Sequence, residues 1–167
     1  MIDYEATIRD LTKPNEKGEL SVREVVKNAF VCKDCIGNIS LAILHNSDGI
    51  TEWPKPRKTA ALYFSSGDEI QLTVDGQNYF INGPISIITC TDQEVSTPFF
   101  IMISAALSSE NLIRNMVKNP NIMWDFLQEF YQCFSKSRQT NLSRNEAIGL
   151  WGELSKILDR KSTRLNS

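Results

Sequence analysis

At 167 residues, 41% apolar and 23% charged, the chain has room for one domain with a sizeable core, or for one domain and the start of another. A net charge of −2 and a pI near 5.5 exclude the basic footprint of a protein that coats nucleic acid, although a local basic patch is still compatible with them. The opening stretch MIDYEATIRD has neither the basic start nor the apolar stretch of a signal peptide, and the longest apolar run, Pro98–Leu107, is half the ~20 residues a membrane span needs. A cytoplasmic protein with no membrane partner is expected.

In chain order, Ile2–Leu11 reads as a short helix with Tyr4, Ile8 and Leu11 on one side, and Thr12–Glu19 as a polar loop. Val22–Phe30 fits helix or strand. Ala29–Cys32 and Ile39–Leu44 read as strands around a turn in which Gly37 and Asn38 are able to take positive φ. Asn46–Gly49 is a second turn, and Glu52–Lys58 (EWPKPRK) is a proline-interrupted connection at an edge or on the surface. Ala60–Phe64, Ile70–Val74, Tyr79–Ile81 and Ile85–Cys90 read as antiparallel strands. Ser65–Asp68, Asp75-Gly76 and Asn82–Pro84 are the turns between them, and Asp-Gly is a strong hairpin signal. The pattern then becomes helical. Thr97–Lys118 is one helix or a broken pair, Asn119-Pro120 is a break, and Asn121–Lys136 is a helix with Ile122, Met123, Phe126, Leu127, Phe130, Tyr131 and Phe134 on one face. Trp124 falls off that face, where a contact with further chain is a possible use. Strands first and helices after predict an α+β fold: a mostly antiparallel sheet of about five or six strands, followed by helices packed on one face.

The helical pattern resumes at Asn141–Leu158. Ser143-Arg144-Asn145-Glu146 reads as a capping box, and Ala147, Leu150, Trp151, Leu154, Ile157 and Leu158 form an apolar stripe. Gly149 and Gly152 each cost this helix roughly 1 kcal/mol against alanine, so a packing need is expected to retain them. The run Ala147-Ile148-Gly149-Leu150-Trp151-Gly152-Glu153-Leu154 resembles the IGLxGEL signature of the bacterial PD-(D/E)XK motif proteins, restriction-endonuclease-like nucleases found beside phage-defence genes. The specific match covers Asn141–Leu154; the rest of the chain agrees in layout only.

That resemblance implies an N-terminal α+β domain over 1–140 and the first helix of a nuclease core over 141–158. It also implies a Mg2+-dependent DNA endonuclease as the parent protein, with DNA and defence-system proteins as partners. Carboxylates in such enzymes hold a hard cation that polarises the phosphate and acidifies the attacking water. By resemblance Glu153 joins that metal shell as a catalytic and metal-binding residue. Its alternative is a helix-surface glutamate. Alone it makes no Mg2+ site, so the chain by itself is expected to be inert.

Residues 159–167, DRKSTRLNS, are similar to the translation of a common DNA-sequencing adapter, which implies an artefact after Leu158. Asp159-Arg160-Lys161, the chain's single (D/E)-x-K, lies inside that stretch and receives no role.

Other candidates are weaker in pattern. Cys32-x-x-Cys35 brackets a turn and lacks a second ligand pair, so core and turn cysteines are expected rather than a zinc or redox site. His45, at a strand end, reads as a surface histidine. Trp53, Lys55, Arg57 and Lys58 form a small basic and aromatic cluster able to contact phosphates and stack on a base, or to be a solvated loop. The competing function is a non-enzymatic module that binds another protein or a small ligand between sheet and helices.

Overall fold

Turn chemistry sorts the first half of the chain into hairpins. The computed structural model describes residues 4–17, 19–46, 50, 52–58, 62–73 and 80–137. After helix α1 (Tyr4–Asp10), the ambiguous stretch at 22–30 resolves into a hairpin: β1 (Leu20–Val26) pairs antiparallel with β2 (Ala29–Asp34) around Lys27-Asn28. Asn28 takes a φ of 68°, a conformation that asparagine tolerates better than most residues. At the next turn, into β3 (Ile39–Leu44), the Asp34 carboxylate accepts from the N–H groups of Ile36 (3.0 Å) and Asn38 (2.8 Å). Gly37 supplies the positive φ there, at 90°.

The antiparallel section differs from the expectation of four short strands. It forms two long ones, β5 (Leu62–Thr73) and β6 (Phe80–Cys90), flanked by the two-residue β4 (Arg57–Lys58). Ser65–Asp68 and Asn82–Pro84 are not turns. They lie inside the strands, and the ladder absorbs them through a register shift between Gly67 and Ile70. Pairing along a long ladder overrides local turn propensity here. Asp75-Gly76 lies outside the described residues, but the ladder runs to Thr73↔Phe80 on either side of it. The six strands lie in the order β1-β2-β3-β6-β5-β4, every neighbouring pair antiparallel.

A 3-10 turn at Gln93–Val95, capped by Asp92, leads into the helices. These are α2 (Ser96–Ser108), α3 (Glu110–Lys118) and α4 (Pro120–Ser137). The break at Asn119-Pro120 is found, with proline in the first turn of α4 where its missing N–H costs nothing. A second break comes at Ser109, whose hydroxyl caps α3 by accepting from the N–H of Leu112 (3.3 Å). No helix among the described residues is long and apolar enough to cross a membrane.

Alternation along the strands decides which face the helices cover. Val31, Leu41, Ile43, Leu62, Phe64 and Ile88 point to one side and pack with Phe99, Met102 and Ile103 of α2, Leu112 and Met116 of α3, and Met123 and Phe126 of α4. Tyr4, Ile8 and Leu11 close this core from α1, as their spacing predicts, and the Tyr4 hydroxyl donates to the Leu107 carbonyl (3.2 Å). Lys33 Nζ donates to the Leu11 carbonyl (2.9 Å) just past the end of α1, and burial holds its pKa below the usual lysine value. The other face carries a smaller cluster, Phe30, Cys32, Ala42 and Ile85. The sheet is strongly curved: β1 and β5, with three strands between them in the order, approach within 8 Å between Cα atoms.

Phe64 is fully buried, and its ring lies 5.1 Å from that of Trp124. Phe64→Ala should therefore cost about 3–5 kcal/mol in urea unfolding. A loss below about 1 kcal/mol would show that α4 does not seal this part of the core.

Candidate functional site

His45 follows the last residue of β3 and is buried, with 4% of its surface exposed, which corrects the expectation of a surface histidine. Its N–H donates to the Pro84 carbonyl at 2.7 Å, in line with the β3–β6 ladder. The ring then reaches two elements. Nδ1 lies 2.8 Å from the Met116 carbonyl near the end of α3, and Nε2 lies 2.6 Å from the Ser86 hydroxyl on β6. A carbonyl only accepts, so Nδ1 carries the proton; Nε2 of the neutral ring then accepts from Ser86. The next residue continues the joint, with the Asn46 N–H donating to the Val117 carbonyl at 3.0 Å. These donors satisfy carbonyls that the last turn of a helix leaves open. Trp53 covers the ring edge-on, centroids 5.5 Å apart.

A serine hydroxyl bonded to an imidazole nitrogen is also the contact that activates a nucleophile. Here Ser86 is fully buried, and the second imidazole nitrogen is held by a backbone carbonyl in place of a carboxylate. The pair works as a structural joint. Burial pushes the His45 pKa below its ordinary 6.5, while the Met116 and Val117 carbonyls act the other way.

The basic and aromatic cluster is pulled in two directions. Trp53 faces His45. Arg57 donates from Nη1 to Gln128 Oε1 of α4 (2.6 Å), and its guanidinium lies 5.7 Å from the Trp124 ring centroid. Trp124 thus packs between Arg57 and Phe64. Lys55 and Lys58 are exposed, and Arg57-Lys58 forms the outermost strand of the sheet, the edge position that the prolines predict.

Cys32 is buried on the face away from the helices, where burial pushes its thiol up to about 12, and Cys35 sits in the β2–β3 turn. Among the described residues no three His, Cys, Asp or Glu side chains come together as a metal site would require. Glu153, with the whole Asn141–Leu158 stretch and Asp159-Arg160-Lys161, lies outside the described residues. The His45–Ser86 pair went unseen in the sequence because 41 residues separate its members, and neither sits in a motif.

Unfolded His45 takes up its proton near pH 6.5, whereas the folded chain resists it to lower pH. The unfolded state therefore binds more protons in that window, and stability should fall as pH drops below about 6.5. His45→Ala should lose about 2–3 kcal/mol at neutral pH and show a flatter pH dependence in urea titrations. A variant as pH-sensitive as the parent would assign the effect elsewhere. No protein-family model, curated protein or solved structure matches this chain.

Proposed function

We propose that this chain belongs to a Mg2+-dependent DNA endonuclease of the PD-(D/E)XK type in a phage-defence or restriction-like system. In this reading, residues 4–137 hold DNA or a partner protein and take no part in bond cleavage. The carrying observation is the run Ala147–Leu154, with its two glycines and Glu153; the α+β domain before it agrees with the signature's setting in layout only. Glu153 supplies one carboxylate to the metal shell, and at least one further oxygen-donor side chain has to complete it.

One feature of the described residues supports a binding role for the domain. Its outer edge presents Lys55 and Lys58 to solvent, with Arg57 between them in sequence, a spacing suited to phosphates. Trp53, turned toward His45, stabilises that edge and leaves base stacking aside.

The edge is tested by fluorescence anisotropy with duplex DNA. Lys55→Ala combined with Lys58→Ala should weaken binding several-fold at about 50 mM salt and lower the slope of log K against log salt by about 1.8. An unchanged slope would remove this edge from the DNA contact. The nuclease reading is tested on the product of the parental gene. Mg2+-dependent cleavage abolished by Glu153→Ala supports it; a product with no strand-borne (D/E)-x-K favours the non-enzymatic module.

A further inference from the structure

A groove of about 380 Å3 opens between the β1–β2 turn and α3, remote in sequence from both Glu153 and the basic edge. Val26, Ile113 and Val117 give it an apolar floor; Ile113 is 2% exposed and belongs to the main core. Lys27, Asn28 and Arg114 stand at its rim. Three observations mark this as more than a gap between elements. The β1–β2 ladder shifts register between Glu24 and Val26, which re-aims the residues that follow. Asn28 adopts the left-handed conformation that a two-residue hairpin turn requires, which fixes the turn beside the groove. The Lys27 ammonium and the Asn28 carboxamide make no hydrogen bond or ion pair among the described residues, although both line the groove.

Arg114 pairs with Glu110 at 3.2 Å, with the two side chains 60% and 84% exposed. Such a solvent-exposed pair contributes little and is readily exchanged. An incoming carboxylate is able to take the guanidinium in a two-point contact while Lys27 adds a second charge. With Glu110 also on the rim, the two cations and one carboxylate leave a net charge of +1, which one carboxylate balances. Floor and rim together select a single negative charge attached to a hydrocarbon body.

We propose that this groove binds a small monocarboxylate with a short hydrocarbon body. Its carboxylate sits between Lys27 and Arg114, its hydrocarbon lies on Val26, Ile113 and Val117, and the Asn28 carboxamide supplies one hydrogen bond. The volume falls at the lower end of small-molecule sites. The site goes beyond the nuclease reading and stands whether or not the chain binds DNA.

The test is a titration of the full chain, followed by amide NMR shifts, with 4-methylpentanoate, leucine, 4-methylpentan-1-ol and inorganic phosphate as probes. Saturable shifts confined to the β1–β2 turn and α3, with a Kd of about 0.1–1 mM for 4-methylpentanoate, are expected for a ligand of this size. Leucine binding as well would identify Glu110 as a partner for its ammonium; leucine failing while 4-methylpentanoate binds leaves the carboxylate assignment intact. Lys27→Glu, in an exposed turn with no partner among the described residues, should weaken 4-methylpentanoate at least tenfold with an unchanged unfolding midpoint. Asn28→Gly keeps the positive φ and removes only the carboxamide, so a loss of about three- to tenfold is expected. Shifts absent up to roughly 20 mM, equal binding of the alcohol, tighter binding of phosphate, or indifference to Lys27→Glu would each overturn the proposal.

Discussion

The helical layer and the sheet are tied together by one neutral imidazole. In two consecutive residues the chain donates to three carbonyls, those of Pro84, Met116 and Val117, and receives the Ser86 hydroxyl. Each bond adds only about 1 kcal/mol net, but leaving a buried carbonyl of α3 open would cost more than the bond contributes. The joint is therefore best understood as preventing a loss. It also depends on charge state. A protonated ring has no acceptor for Ser86, and the surrounding apolar core offers no screening. Trp53 keeps water from that edge, so a residue on the surface connection supports a bond inside the core.

The basic edge follows from the same connection. Between His45 and β5 the chain must travel from the end of β3 to the far side of the sheet, and Pro54 and Pro56 withhold backbone donors just before Arg57, with no strand over 52–56. The outermost strand is then only two residues long and carries two cations, which discourages a second chain from pairing with it. Arg57 also holds the edge down through Gln128 and Trp124. Exposed lysines on that edge are thus compatible with a structural duty as well as with a phosphate contact.

Much of this architecture is legible residue by residue. Tyr4, Ile8 and Leu11 announce a helix side because their spacing is helical, and Gly37 announces a turn because it tolerates the conformation required. Local rules failed where distant pairing won. Ser65-Ser66-Gly67-Asp68 has turn composition, yet its ladder with β6 carries it straight through as a bulge. Lys27-Asn28 was hidden between two apolar runs, since a two-residue turn leaves almost no compositional trace. His45 looked like a strand-end surface residue because its partners lie 41 and 71 residues away. For the candidate site, the position of Trp53–Lys58 at an edge was legible from its prolines. The inward commitments of Trp53 and Arg57 were not, because they are set by His45 at the end of β3 and by Gln128 and Trp124 of α4.

Satisfaction of hydrogen bonds separates the polar groups that build this fold from those available for function. His45 and Ser86 meet each other and the backbone, and Ser40 and Thr89 pair across β3 and β6 at 2.8 Å. No buried side-chain polar atom among the described residues lacks a partner. Such groups have their energy committed, and chemistry at them would first have to break the joint. Lys27 and the Asn28 carboxamide differ: they line the groove beside apolar residues and bond to none of the described residues. The backbone N–H of Asn28 meets the Glu24 carboxylate, and its carbonyl takes the Leu44 N–H (2.9 Å), so the main chain of the turn is fixed while its side chain is spare. A rigid backbone that holds an uncommitted polar group over an apolar surface has already lost its main-chain entropy, so that binding has only the side chain to order. By that criterion the β1–β2 turn, and not the buried histidine, is where the described domain is prepared for a ligand.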